Sequence, residues 1–180
     1  IKASRHSLLF VGGYFFPGGR VRHYLRNAVR RGVKIKIVLA AESDVALQRN
    51  AIEYLYQWMI RNGISIYEYQ PSNVHGKVLI SDRRFVSIGS YDLNNLSNYS
   101  NIELNLDIQN NKFAQEVEKK LERIITEDCI RITEKDFVSQ YNFIKRTWQK
   151  LCYEIFRTIF TLFTFYFKYI DRLLIDSSVS

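Results

Sequence analysis

Along the first third of the chain, short apolar runs take turns with stretches of helical periodicity. Leu8 to Gly13 is apolar and closed by glycines, as a buried strand is. Tyr14-Phe15-Phe16-Pro17-Gly18-Gly19 carries the signals of a loop. Val21, Tyr24, Leu25, Ala28 and Val29 then fall on one side of a helix that ends at Gly32. Lys34 to Ala40 opens Lys/Ile/Lys/Ile/Val and reads as a strand. Ser43 or Asp44 is suited to cap a second helix running to about Asn62, with Gly63 as its stop, and Ile64 to Tyr69 is the next strand. This βαβαβ order predicts an α/β layer with helices against a central sheet.

From Lys77 onward the rhythm changes. Lys77 to Ser81, Phe85 to Ser90 and Ile102 to Ile108 read as three close strands, with Asp82-Arg83-Arg84 as a tight turn between the first two. A helix from about Lys112 to Thr126 follows, with Phe113, Val117, Leu121 and Ile124 on one face. The expected fold is a mixed β-sheet sandwiched by helices. No internal repeat or low-complexity tract interrupts it.

Residues 148–174 form a different kind of segment. Lys150, Glu154, Arg157, Thr161, Thr164, Lys168 and Asp171 recur at steps of four and three, one narrow polar stripe of a helix. Trp148, Leu151, Ile155, Ile159, Leu162, Tyr166 and Tyr169 surround it. The uncharged core, 158–167, is about half of a membrane span. Such a helix suits a membrane interface, with Trp, Tyr, Lys and Arg at headgroup depth. Packing against a further domain or a second copy, or a tilted span, are the other uses of so wide an apolar face. The expected division is a domain over 1–136 and a C-terminal helical, membrane-interfacial appendage over 137–180.

Composition changes this picture in three places. A net charge of +8 points to anionic partners, nucleic acid or an acidic membrane surface, without choosing between them. Cys129 and Cys152 lie in neither metal-ligand nor redox spacing and read as reduced, structural residues. Met59 is the only methionine, so translation is expected to start elsewhere and the chain to be a fragment. Arg22, Arg26 and Arg30 make one helical stripe, either a solvated face or a contact for acidic headgroups.

The chemistry concentrates in VHGKVLISDRRFVSIGSYDLNNLSNYSNIELNL. Period-two alternation sets His75 and Lys77 on one face of the strand they open. A histidine beside an ammonium suits phosphoryl transfer: a nucleophile or proton carrier next to a charge that holds phosphate oxygens. Gly89-Ser90 ends a neighbouring strand with a backbone that permits close approach and a hydroxyl that donates. Glu103 is a carboxylate in an apolar strand, where burial is costly without a partner, and orienting a histidine would supply one. His6 and His23 have no such company and read as surface residues.

His75, Lys77 and Asp82 in H-x-K-x4-D, followed by Gly89-Ser90 and Asn101-Ile102-Glu103, resemble the phospholipase D superfamily, and within it the cardiolipin synthase branch. The likeness covers about residues 1–135 and includes the YFFP loop, the Arg31-Gly32-Val33 turn, Asp44 and the Ile66-Tyr67-Glu68-Tyr69 strand. It implies a phospholipase D-like fold with the amphipathic helix appended. It also implies a phosphatidyltransferase making cardiolipin through a phosphohistidine, needing no metal or other cofactor. The resemblance makes His75 nucleophile or general acid, has Lys77 and Ser90 grip phosphate, lets Glu103 orient His75, and gives Asp82 a supporting role in the loop and charge network.

The family mechanism needs two H-x-K-x4-D halves, in one chain or a homodimer. In a C-terminal half His75 would be the acid/base; in a self-paired chain copies of His75 take both roles. The expected partners are a phosphatidylglycerol-like phospholipid and the cytoplasmic face of a bacterial inner membrane, held peripherally, rather than nucleic acid. A dimeric nuclease or phosphodiesterase of the same superfamily is the first rival, and a degenerate membrane-binding half the second. One position departs from the family pattern: Asp92 stands where an asparagine is usual, with Asn94 nearby. An ionised Asp92 facing phosphate would repel it, so either Asp92 points away and Asn94 substitutes, or the site is weakened.

Overall fold

The computed structural model describes residues 1–43, 45–93, 102–139 and 142–177, at backbone level only over 137–139 and 167–177. Strands β1 (Ser7–Val11), β2 (Lys34–Ala40), β3 (Ser65–Tyr69), β4 (Val78–Ser81), β5 (Phe85–Gly89), β6 (Asn105–Gln109) and β7 (Cys129–Ile132) form one sheet in the order β6-β5-β4-β1-β2-β3-β7. β1, β2 and β3 are parallel, and the remaining pairings are antiparallel. The helices are α1 (Gly19–Arg30), α2 (Ala46–Arg61), α3 (Asn111–Asp128), α4 (Glu134–Ser139) and α5 (Phe143–Ser177).

The central strands are apolar on both sides because both sides are covered. In β1, Leu8 and Phe10 join the core under α1, α2 and α5, whereas Leu9 and Val11 join the core under α3. β2 divides in the same way, with Ile35, Ile37 and Leu39 on one side and Val38 on the other. The expected sandwich of helices around a mixed sheet is the observed architecture. His6 and His23 are exposed, as expected, and both cysteines are free thiols.

Several local expectations need correction. The N-cap of α2 is Val45 without a side-chain cap, and the Ser43 hydroxyl instead accepts from the Val45 N–H at 3.3 Å. Asp44 lies outside the described residues. β7 and α4 had no signal in the sequence: β7 is a four-residue edge strand, too short for its alternation to stand out. β6 starts three residues later than expected, at Asn105, and β4 starts at Val78, so Lys77 lies just ahead of it.

The tail also differs. α5 begins at Phe143, and its first half is built into the domain. Cys152, Tyr153 and Phe160 are buried in the same core as α2, and Tyr153 lies 5.0 Å from Tyr54 and 5.1 Å from Phe16 between ring centroids. Polar contacts fix the register of the two helices. The Arg146 guanidinium donates to the Tyr54 carbonyl and to Gln57 Oε1 at 3.1 and 2.7 Å, and Gln149 Nε2 donates to Glu53 Oε2 at 2.7 Å. The helical periodicity of the tail was legible; that one of its apolar rows faces the domain's own α2 was not.

Candidate active site

The edge of the sheet at the carboxyl ends of the parallel strands gathers most of the chemistry-bearing residues. This is where α/β sheets commonly bind ligands. β1 is followed by Gly12-Gly13, and a Cβ on Gly13 would stand 2.3 Å from the Val74 carbonyl oxygen, so only glycine lets residues 73–76 lie across the strand end. The antiparallel register continues past the strands proper. Gly89 N–H bonds to the Lys77 carbonyl and Ser90 N–H to the Leu104 carbonyl, both at 3.1 Å. Lys77, Gly89-Ser90 and the start of β6 thereby meet at one edge. Gly89 is required for this: a Cβ there would meet the Leu104 carbonyl at 2.2 Å.

Lys77 Nζ donates to the His75 carbonyl at 3.1 Å, lies 5.7 Å from the centre of the Tyr14 ring, and pairs with Asp92 Oδ2 at 3.6 Å. Both partners of this ion pair are largely withdrawn from water, with side-chain exposures of 15% and 9%. Burial, the largest influence on Asp92, pushes its carboxyl above the ordinary 3.8; the Lys77 ammonium and the Tyr14 N–H pull it down, and Glu103 pushes it up again. Asp92 therefore faces Lys77 instead of pointing away. Glu103 is close enough to Asp92 for its charge to oppose ionisation of Asp92.

Ser90 is exposed, and its Oγ accepts from the Leu104 N–H at 3.0 Å. That bond uses an oxygen lone pair and leaves the hydroxyl hydrogen as a donor for an anion. His75 is exposed too, at the rim of a cavity of about 250 Å³ lined by Val11, Val38, Tyr69, Leu121 and Ile125.

Asp82 is elsewhere. It sits in the β4–β5 turn with φ of 52°, at the far end of β4 from Lys77, roughly 16 Å away at a strand's ~3.3 Å per residue. Its carboxylate accepts the backbone N–H groups of Arg5, His6 and Ser7 at 2.8, 2.7 and 2.9 Å. Burial alone would raise its carboxyl, but these three bonds outweigh it and hold it below the ordinary value. Asp82 is a structural residue that ties the hairpin to the start of β1. Asn94 lies outside the described residues.

Two contributors were missed from sequence. Tyr14 supplies a ring beside Lys77, its only signal being its place in the loop after β1. Asn105 braces the strand ends, its Oδ1 accepting from the Tyr91 N–H at 3.2 Å and its Nδ2 donating to Ser87 Oγ at 3.3 Å. An asparagine at the start of a strand gives no local hint of that. Among the described residues there is no cluster of His, Cys, Asp and Glu fit to hold a metal ion.

Comparison with known proteins gives the family of the chain. The family model described as cardiolipin synthase, PLD-like domain, matches residues 1–125. Cardiolipin synthase B of Escherichia coli O6:H1 is 35% identical over 148 residues, which are 82% of this chain and 34% of that protein. The chain thus spans about a third of the length of the curated relatives it matches. Among solved structures, a phospholipase D family member, Nuc, from Salmonella typhimurium superposes with a TM-score of 0.62 at 21% identity, covering 74% of this chain and 86% of that one. Phosphatidylserine synthase of Haemophilus influenzae Rd KW20 superposes at 0.64 and 14% identity, covering 90% of this chain and 42% of that one. Coverage of 90% must include part of α5, because that helix is 35 of the 180 residues. A family model that spans more than half of the residues, and a relative at this identity over most of them, place the chain in the cardiolipin synthase family of phospholipase D-like domains.

Proposed function

We propose that this chain is one catalytic half of a phosphatidyltransferase that makes cardiolipin from phosphatidylglycerol-like phospholipid. The observation that carries the reading is the meeting of Lys77 and Ser90 beside His75 at one sheet edge, in a chain of this family. In the reaction, one histidine attacks phosphorus to give a phosphohistidine and expels an alcohol. A second histidine protonates the departing alkoxide oxygen and then takes the proton from the incoming lipid hydroxyl, whose oxygen attacks phosphorus and displaces the first histidine. Lys77 and the Ser90 hydroxyl hold the equatorial oxygens as charge builds on them. Glu103 orients His75.

The second H-x-K-x4-D half comes from the same polypeptide or from a second copy. The relatives, about three times longer than the match, leave room for the first arrangement. The protein works peripherally at the cytoplasmic face of a bacterial inner membrane. Among the described residues no helix is long and apolar enough to cross a membrane.

The test is to supply the full protein with phosphatidylglycerol vesicles and, separately, with single-stranded DNA. Cardiolipin formation with a trapped phosphohistidine supports the reading. DNA cleavage without lipid transfer would give the site to a nuclease instead.

A further inference from the structure

Around α5 the described side chains form three faces. Gln149, Cys152, Tyr153 and Phe160 are buried against the domain. Lys150, Glu154, Arg157 and Thr161 make the polar face. The third face is apolar and open: Ile144, Trp148, Leu151, Ile155, Ile159 and Leu162 recur at steps of three and four, each at least 36% exposed and Ile144 as much as 77%. Single exposed apolar side chains are ordinary. Six in register along one helix make a continuous patch that calls for an occupant.

We propose that this stripe is a membrane-docking edge, which sinks into the headgroup–acyl boundary of a bilayer bearing anionic lipid and holds the catalytic sheet edge at its surface. Charge selects the occupant. The chain has 26 basic and 18 acidic residues, so a second copy would bring two positive bodies together, whereas anionic lipid reverses the sign. α1 has Arg20, Arg22, Arg26 and Arg30 and no acid, and residues 143–166 of α5 have Lys145, Arg146, Lys150 and Arg157 against Glu154 alone.

A physical link to the site adds to this. Phe160 and Phe156 stack on Phe16 at 5.2 and 6.2 Å, and Phe16 lies two residues beyond Tyr14, whose ring faces Lys77. The docking helix and the phosphate site therefore share the loop after β1. The choice of a bilayer rests on the phosphatidyltransferase reading, but the contact itself needs no turnover.

Deleting the helix is not a usable test, because Cys152, Tyr153 and Phe160 belong to the core. Trp148 is a built-in probe: the only other tryptophan, Trp58, lies under Arg22 with its ring centre 5.7 Å from the guanidinium carbon. In full-length protein carrying Trp58→Phe, with any tryptophan outside these 180 residues likewise replaced by phenylalanine, vesicles of brominated phosphatidylglycerol and phosphatidylcholine are expected to quench Trp148 fluorescence by more than half. Replacing Leu151, Ile155 and Leu162 together by serine is expected to weaken vesicle partitioning at least tenfold, with an unchanged thermal melt. Unquenched Trp148, or undiminished partitioning of the triple variant, would overturn the proposal. So would a triple variant whose only change is a smaller sedimenting mass without vesicles, which would give the stripe to a protein partner. A protein that is quenched but inert in lipid transfer supports the docking edge and removes the enzymatic reading instead.

Discussion

Asp82 and Asp92 stand at opposite ends of the β4–β5 hairpin, and the protein treats the two carboxylates in opposite ways. Asp82 sits in a turn, takes three backbone N–H bonds and is held below its ordinary acidity value. Asp92 sits at the sheet edge, pairs with Lys77 and is pushed above it by burial. A carboxylate that accepts several backbone donors contributes to the fold in its ionised form. One withdrawn from water beside an ammonium at the sheet edge is an ionised form that burial opposes. The difference separates the fold-supporting end of the H-x-K-x4-D motif from the end that carries His75 and Lys77, the proposed reacting end, although all three motif residues lie within eight positions of one another.

The widest gap between the two ends should come from His75. It is exposed and makes no contribution to the core, so His75→Ala in the complete enzyme is expected to lower lipid transfer about a thousandfold. Its unfolding free energy should stay within about 0.5 kcal/mol of the parent, as for surface changes generally. Steady-state assays beside a thermal melt measure both. Near-normal turnover in a folded variant would remove His75 from the mechanism.

Asp92→Asn is the next largest. An anion arriving at Lys77 meets an ammonium already neutralised by Asp92 at 3.6 Å. Removing that negative charge should tighten sulfate or phosphate binding roughly tenfold, about 1.4 kcal/mol, read by calorimetry. If the variant binds as the parent does while Asn94→Ala weakens binding, Asn94 makes the anion contact and the Lys77–Asp92 pair is not the barrier.

Asp82→Ala should act on the other side of the comparison. Loss of the acceptor for Arg5, His6 and Ser7 should cost on the order of 1–3 kcal/mol, a drop of several degrees in Tm, with kcat changed less than about twofold. A large fall in kcat at unchanged Tm would make Asp82 part of the reacting end after all.

How much of this could be read beforehand depended on range. The strands and helices of residues 7–69 repeat a local period, and their alternation already showed both faces of the sheet covered. The motif was legible because its spacing follows one hairpin. What stayed hidden was set by contacts distant in sequence. The docking of Tyr153 onto Tyr54 and Phe16 joins residues 99 and 137 positions apart, and nothing local in α5 distinguishes its core-facing apolar row from its open one. Asp92 was recognised as a departure from the family pattern, but its direction, toward Lys77, depended on the Tyr14 loop and the meeting of three strand ends. Asp82's partners, Arg5 to Ser7, lie more than seventy residues before it in the chain.

The smallest expected effect, and the sharpest test of the contrast, is the pH dependence of stability. Asp82 has a folded value below the ordinary 3.8, so its contribution is complete above that value and is lost as pH falls through the lowered one. Asp92 has a folded value above 3.8, so folding disfavours its ionised form. That penalty is absent at low pH, grows as pH rises from 3.8 through the raised value, and is constant beyond it. Urea melts of the parent, Asp82→Asn and Asp92→Asn at a series of pH values separate the two. Parent minus Asp82→Asn should lose stability on acidification, with the loss concentrated below 3.8. Parent minus Asp92→Asn should instead gain stability on acidification, above 3.8. Sulfate, which does not titrate in this window, supplies the functional arm. Its affinity for the parent should rise as pH falls toward 3.8, and more steeply than its affinity for Asp92→Asn, in which only the remaining groups such as His75 and Glu103 titrate. Difference curves of the same sign for the two positions, or a parent sulfate affinity indifferent to pH, would mean that Asp92 is as much a structural carboxylate as Asp82.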